Sequence, residues 1–174
     1  QTFIEQVSFY NQRFAFTEER FLSSSVSPKL KVSVVIPCYN EDVEAFINDI
    51  NSWSCQQYDS LEILLVINHS SDEIEEIKEI HQNQYSKFSN YPLASGVKLN
   101  LIPAFDLKPK HAGVGLARKI GMDEALKRFQ EINYPGLIVC LDADCQVGVN
   151  YFDSLLKAES EGWNGLSLFY EHPF

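Results

Sequence analysis

Short runs of apolar residues alternate with amphipathic stretches along the chain from Lys31 onward. Runs rich in β-branched residues, about four to eight residues long, are typical of strands that are buried on both faces. They predict five strands, at residues 32–36, 61–67, 97–102, 137–141 and 165–170.

Amphipathic stretches between these runs predict helices. After the first strand, apolar residues recur at helical spacing as far as Trp53, and Asn40 is the expected N-cap. After the second strand, Ser70 and Glu73 have the spacing of a capping box ahead of a helix that contains Ile74, Ile77 and Ile80.

Two further helices are predicted around residues 122–129 and 152–156. Residues 81–96 are rich in Asn, Ser, Tyr and Gly, which predicts a surface loop. Alternation of strands and helices implies right-handed crossovers, and therefore an α/β fold with a mainly parallel sheet and helices on both faces. In such sheets ligands bind beyond the carboxyl ends of the strands.

A chain of 174 residues is long enough for one domain. Residues 1–30 are expected to form an N-terminal extension that packs on the domain, with Phe3, Val7, Tyr10 and Phe14 on one helical face. Residues 31–174 are expected to form the ligand-binding domain.

Charge and composition exclude several classes of protein. The formal net charge of -10 disfavours nucleic-acid binding, because polyphosphate would be repelled. The four cysteines lack the paired spacing or density of a disulfide scaffold, and no run of 18 apolar residues occurs. We expect reduced thiols, no transmembrane segment and a cytoplasmic location, which could include association with the inner face of a membrane.

Polar residues follow three of the predicted strands. The first strand leads into Tyr39, the second into Asn68, and the fourth into Asp142 and Asp144. If the sheet is parallel, all three strand ends lie at one edge. Paired carboxylates at such an edge can bind Mg²⁺ or Mn²⁺ while leaving coordination positions for diphosphate oxygens. An isolated Asp-x-Asp motif is a weak signal, and it gains weight here from its position after a buried strand.

Three segments carry a resemblance to a known family. Residues 32–41 read Val-Ser-Val-Val-Ile-Pro-Cys-Tyr-Asn-Glu, residues 113–121 read Gly-Val-Gly-Leu-Ala-Arg-Lys-Ile-Gly, and residues 137–144 end in Asp-Ala-Asp. In this order they resemble the first strand and loop, the later helix, and the acidic metal-binding motif of family 2 glycosyltransferases. The resemblance implies the Rossmann-like A-type fold of nucleotide-diphospho-sugar transferases.

The resemblance also implies roles for individual residues. Those that match Pro37, Tyr39 and Glu41 line the base and ribose of the nucleotide, and those that match Asp142 and Asp144 hold ribose, metal and diphosphate. For Tyr39 and Glu41 the alternative is a loop aromatic and a helix-start acid.

Asn68 stands where the family usually has an acidic or amide residue that reads a uracil-like base. This chain departs from the usual two acids and glycine there, so the base is open, and a turn residue before the next helix is the alternative. Lys110, His111 and Arg118 could offer positive charge to a diphosphate, although exposed cations near a helix start are commonly just solvated. Gly113 and Gly115 do not make a dinucleotide fingerprint, since Arg118 occupies the third glycine position.

The implied activity is transfer of a sugar from a nucleotide-diphospho-sugar donor to a glycan, lipid or protein acceptor, with metal assistance and inversion. Inversion needs a general base, and no residue is assigned to that role. Asp153, Glu159 and Glu161 are poor candidates because they lie on the predicted fourth helix, whereas Glu171 and His172 emerge at the end of the predicted fifth strand and could reach the edge of the site. We therefore expect the natural chain to continue past Phe174, and the segment to retain donor binding better than transfer.

Two other functions remain open. A non-catalytic nucleotide-sugar-binding or interaction module with the same fold is the main alternative. A nucleotidyltransferase is disfavoured, because no glycine-rich basic loop follows the first strand.

Overall fold

The sheet consists of parallel strands that are flanked by helices on both faces. A computed structural model describes residues 1–52, 60–93 and 97–167. Within these ranges the spatial order across the sheet is β3-β2-β1-β4 and every pair is parallel, where the strands are β1 (Val32–Cys38), β2 (Leu61–Ser70), β3 (Lys98–Leu107) and β4 (Leu137–Cys140). The predicted parallel α/β sheet is confirmed.

Helices cover both faces because successive side chains of a strand point to opposite sides. The helices of the described residues are α1 (Phe3–Phe14), α2 (Val43–Ser52), α3 (Glu75–Phe88), α4 (Val114–Glu131) and α5 (Tyr151–Ser160). Phe46 of α2, Phe88 of α3 and Phe152 of α5 pack in one core cluster with Val34. Ile120 of α4 packs in another cluster with Val35, on the opposite face.

The prediction of a surface loop at residues 81–96 is wrong in its first half, because α3 continues to Phe88. His81 and Phe88 are buried on the side of α3 that faces the sheet, and Tyr85 packs against the same core. Their spacing of three to four residues continues that of Ile77, so the periodic signal was present among the polar residues.

Two predicted helix caps are also wrong. The N-cap role expected of Asn40 falls to Asp42, whose Oδ1 accepts hydrogen bonds from the backbone N–H groups of Glu44 and Ala45 at 2.9 and 3.1 Å. The expected capping box at Ser70 is absent, because Ser70 still belongs to β2 and α3 begins only at Glu75.

The strands end later than predicted in two places. β2 continues through Asn68 and His69, and β3 continues through Pro103 to Leu107. Among the described strands β3 lies at the edge of the sheet and pairs with β2, and edge strands are where proline is tolerated. Of the predicted fifth strand, residues 165–167 are not a strand and 168–170 lie outside the described residues, as does Trp53.

Residues 1–30 contact α4 through two buried carboxylates. Asp123 accepts hydrogen bonds from the Tyr10 hydroxyl at 2.9 Å and the Phe16 N–H at 2.8 Å. Glu124 accepts from the N–H groups of Phe21 and Leu22 at 3.0 and 3.3 Å. Lys127 donates to the carbonyl oxygens of Thr17 and Glu19. Much of this docking therefore uses the backbone of the N-terminal segment.

A buried ion pair joins α4 to the middle of the sheet. The guanidinium of Arg128 donates to both carboxylate oxygens of Glu62, with Nη2 to Oε2 at 2.6 Å and Nε to Oε1 at 2.9 Å. Ser33 of β1 donates to the same carboxylate at 2.8 Å. Both charged groups are buried, and the network joins α4 to β2 and, through Ser33, to β1.

Candidate functional site

The carboxyl ends of the strands lie at one edge of the sheet. β1 has β2 on one side and β4 on the other, and both pairs are parallel. The segments that follow Cys38, Ser70 and Cys140 therefore leave the sheet at the same edge. This brings the loop of Tyr39 and the turn of Asp142 and Asp144 to neighbouring positions, as the parallel topology requires.

The loop between β1 and α2 is held by its own acidic residues. The Glu41 carboxylate accepts hydrogen bonds from the backbone N–H groups of Tyr39 at 2.7 Å and Asn40 at 3.1 Å. Glu41 thus folds back on the loop. Tyr39 is 39% exposed, and its hydroxyl donates to Glu73 Oε2 at 2.6 Å. This bond raises the pKa of Tyr39 and lowers that of Glu73.

Pro37 and Asn68 are buried at the strand ends. Pro37 is the penultimate residue of β1 and lies opposite Val66 of β2. The Asn68 side chain is buried, and its amide nitrogen donates to the carbonyl oxygen of Cys38 at 2.9 Å. This bond joins the ends of β1 and β2. One amide hydrogen of Asn68, the side chain expected to hydrogen-bond the nucleotide base, is therefore already used within the chain.

A short turn carries both aspartates. The Leu141 N–H continues the sheet pattern by donating to Val35 at 3.1 Å, and the Cys145 N–H then donates to the carbonyl oxygen of Asp142 at 3.0 Å. Asp142 and Asp144 are both exposed within this turn. They are therefore accessible from solvent at the edge where the strands end.

Arg118 reaches the same turn from the first turns of α4. Its Nη2 donates to Asp142 Oδ1 at 2.5 Å, and its buried Nε has no hydrogen-bond partner among the described residues. Arg118 thus places a positive charge beside the acidic motif. Lys110 and His111 lie in the exposed connection between β3 and α4.

Gly113 precedes α4 with φ +131°, a conformation that residues with a Cβ rarely adopt. The helix begins seven positions after β3 ends at Leu107, so no strand runs directly into the glycines. This agrees with the rejection of a dinucleotide fingerprint from the sequence.

The side chains at this edge fit a divalent cation only as a partial set of ligands. Asp142 and Asp144 supply hard carboxylate oxygens, which suit Mg²⁺ or Mn²⁺. Within the part of the chain that the structure describes, no group of three or more His, Cys, Asp or Glu side chains is arranged to hold a metal ion. Such a pair of carboxylates matches Mg²⁺ sites that are completed by water and substrate phosphates.

Burial makes the nearby thiols poor nucleophiles. Cys38, at the end of β1, has a pKa raised to about 12 by burial and by the neighbouring Glu41 carboxylate. Cys140 is exposed, and desolvation by the surrounding protein also raises the pKa of its thiol. Thiolate chemistry at neutral pH is therefore disfavoured at these two positions.

Two residues that contact the site loop were not identified from the sequence. Glu73 accepts the Tyr39 hydroxyl, and the buried ring of His81 contacts the Tyr39 carbonyl oxygen. The signal for His81 was its place in the helical repeat of α3. Glu171 and His172, considered above as bases, lie outside the described residues.

A separate cavity of 550 Å³ lies between α3 and the ends of β2 and β3. It is lined by polar residues that include His69, Lys78 and Asp106. Neither aspartate of the Asp-x-Asp motif lines it, so the cavity and the exposed turn are different parts of the same edge. Within the described residues, the structure has no helix long and apolar enough to span a membrane.

Comparison with known proteins identifies the family. The sequence matches the family described as "Glycosyl transferase family 2" over residues 33–167, which is well over half of the chain. The chain belongs to glycosyl transferase family 2. The matched region includes both the Tyr39 loop and the Asp-x-Asp turn of this family 2 chain. A search of curated protein sequences finds no match.

Two solved structures are similar to this family 2 chain. Staphylococcus aureus TarS, residues 1–349, is 16% identical with a TM-score of 0.45, over 81% of this chain and 39% of TarS. The same TarS region in complex with UDP-GlcNAc is 14% identical with a TM-score of 0.46, over 81% of this chain and 37% of TarS. The chain thus spans less than half the length of these two structures.

Proposed function

We propose that this family 2 chain forms the donor-binding portion of a glycosyltransferase that uses a nucleotide-diphospho-sugar. The observation that carries the proposal is the placement of an exposed Tyr39 loop and an exposed Asp142-x-Asp144 turn at one edge of a parallel sheet. Ligands bind at this edge in open α/β sheets. The acceptor would be a glycan, a lipid or a protein.

Tyr39 would stack on the nucleotide base, since its ring is exposed while its hydroxyl and backbone are held. Glu41 would act by shaping the loop, because its carboxylate is bonded to the loop backbone. Pro37 and Asn68 would support this loop from the strand ends and line its floor. The amide oxygen and second amide hydrogen of Asn68 could still meet a base.

Asp142 and Asp144 would hold Mg²⁺ or Mn²⁺ together with the diphosphate. When bound, the cation would supply Lewis-acid stabilisation of the leaving diphosphate. Arg118 would add positive charge at the same place, and Asp142 would exchange its bond to Arg118 for metal and ribose contacts on donor binding. The protein has a net charge of -10, so these cationic groups are needed to offset repulsion of a diphosphate.

The proposed reaction proceeds with inversion, and its general base is not assigned to any described residue. Donor binding is therefore the property to test first. We further propose that the domain comprises residues 31–174, that residues 1–30 pack on it, and that the protein is cytoplasmic and able to associate with the inner face of a membrane.

Calorimetric titration with UDP-sugars and GDP-sugars, with and without Mn²⁺, tests the proposal. Asp144→Ala should weaken metal-supported nucleotide binding by about tenfold or more, because a carboxylate ligand is lost. Asp153→Ala removes another exposed aspartate, from α5, and is the matched control. Equal effects of the two substitutions, or no metal-dependent binding by the wild type, would contradict the proposal.

A further inference from the structure

A series of ring contacts runs from the Tyr39 loop into the core between α3 and the sheet. The Tyr39 ring meets His81 edge to face, with centroids 5.5 Å apart. The rings of His81 and His69 of β2 lie in nearly parallel planes, 22° apart, with centroids separated by 5.3 Å, and His69 stacks on Phe105 of β3 at 4.6 Å. His69 is 2% exposed and His81 is fully buried. No metal-binding or catalytic role proposed above uses this histidine pair.

Hydrogen bonds fix the proton positions within the pair. His81 Nε2 contacts the carbonyl oxygen of Tyr39, which can only accept, so Nε2 of His81 carries the hydrogen. In a neutral His81 the other nitrogen, Nδ1, must then accept. His69 Nδ1 lies 3.0 Å from His81 Nδ1, so His69 is the donor and carries its hydrogen on Nδ1. The chain of donors therefore runs from His69 to His81 to the Tyr39 backbone.

The environment keeps both rings neutral near pH 7. Burial lowers the pKa of His81, and burial together with His81 lowers the pKa of His69. Two charged groups face the outer nitrogen of His69: Asp106 Oδ1 lies 3.7 Å from Nε2, and Lys78 lies 4.0 Å from the same carboxylate. The acceptor nitrogen of His69 thus faces the cavity between α3 and β3, away from Tyr39.

Tyr39 is consequently held at two points from the α3 side. Glu73 accepts its hydroxyl at one end, and His81 donates to its carbonyl oxygen at the other. Among the described residues, the other hydrogen bonds of the Tyr39 and Asn40 backbone are to Glu41 within the same loop. A fixed ring plane matters for a stacking platform, since a ring that must be ordered on binding costs affinity.

We infer that His81, oriented by the hydrogen bond from His69, is a positioning residue that holds the Tyr39 loop in the conformation that stacks on the nucleotide base. The inference rests on the proposed function, because it assumes that Tyr39 contacts a nucleotide. It assigns to this chain a role for two histidines that lie behind the site and do not touch the donor.

The donor chain is tested directly by long-range ¹H–¹⁵N NMR of the histidine rings at neutral pH. The expected result is a neutral His81 with its hydrogen on Nε2 and a neutral His69 with its hydrogen on Nδ1. The opposite tautomers, or a charged ring at either position, would overturn the inference whether or not a nucleotide binds.

The positioning role is tested with two variants and a control. His81→Phe keeps a buried ring but cannot donate to Tyr39, and it should weaken binding of UDP or GDP by about tenfold, the loss of one hydrogen bond. His81→Gln retains a side-chain N–H donor and should recover most of the affinity. Ser86→Ala changes an exposed position on the same helix and should bind as the wild type does.

Circular dichroism and thermal melting are measured first, and the titrations are then run at a temperature at which every variant is folded. Binding by His81→Phe within about twofold of the wild type would overturn the positioning role and leave the proposed function intact. Equal weakening by His81→Phe and His81→Gln would also overturn it. If the wild type binds no nucleotide, both the proposed function and the positioning role are overturned. Titration of the wild type alone therefore separates failure of the proposed function from failure of the positioning role.

Discussion

Replacement of Arg128 by methionine should strongly destabilise the fold. Arg128 is fully buried and donates to Glu62 through Nε at 2.9 and 3.1 Å and through Nη2 at 2.6 Å, while its Nη1 donates to the Ser24 carbonyl oxygen at 3.1 Å. Without it, the hydrogen-bond donors left to the buried Glu62 carboxylate among the described residues are Ser33 at 2.8 Å and Asn100 at 3.4 Å. Breaking one side of a buried ion pair costs about 3 to 5 kcal/mol.

That loss is a large part of the roughly 5 to 15 kcal/mol by which domains of this size are stable. Urea unfolding followed by circular dichroism gives the free energy of unfolding and its dependence on urea. The double variant Glu62→Leu/Arg128→Met should be more stable than Arg128→Met alone, because no unpaired charge is then buried. Arg13→Met, at an exposed position on α1, is the control and should change the free energy by no more than about 0.5 kcal/mol. A loss below about 1 kcal/mol for Arg128→Met, with an unchanged urea dependence, would refute the reasoning.

Two further predictions concern α4 packing and pH. Gly121→Ala should lower the free energy of unfolding by about 1 to 3 kcal/mol. A Cβ at this position would lie 2.4 Å from a side-chain carbon of Val35 and 2.9 Å from one of Val66, in a closely packed core. An unchanged melting temperature would contradict this prediction. Because the pKa values of His69 and His81 are lowered from 6.5 in the folded state, the unfolded chain binds protons first as the pH falls. The contribution of the two neutral histidines to the free energy of unfolding is therefore complete above pH 6.5, and it is lost as the pH falls through the pKa values of the folded state. Urea unfolding measured across this pH range should show the free energy of unfolding declining as the pH falls, with a smaller dependence on pH in His81→Gln than in the wild type. An equal dependence on pH in the two proteins would argue against this.

The edge that carries Tyr39 and Asp142 could be predicted because it depends on topology alone. Apolar runs located the strands, and parallel pairing then requires their carboxyl ends to lie together. The orientation of each side chain could not be predicted in the same way. Asn68 is a polar residue inside a strand, and it is buried there because the carbonyl oxygen of Cys38 accepts its amide hydrogen, a partner 30 positions away.

The burial pattern of α4 shows why helix periodicity identified the element but not its faces. Met122, one of the apolar residues that predicted the helix, is 39% exposed, whereas Asp123 and Glu124 are buried. The usual order is reversed because residues 1–30 supply hydrogen-bond donors to both carboxylates. Beyond the helical repeat of residues 3–14, that segment has no periodic pattern, so its partners on α4 could not be assigned from sequence spacing.

The docking of residues 16–22 on α4 constrains the course of the chain more than the identity of its side chains. Asp123, Glu124 and Lys127 all bond to peptide groups in this segment. Most amino acids offer the same peptide groups, so substitutions there can accumulate among related chains while anchoring is retained. Proline is the exception at positions 16, 21 and 22, because it has no N–H to offer a buried carboxylate. Variation in this stretch should therefore be broad in residue type and narrow in length and backbone conformation.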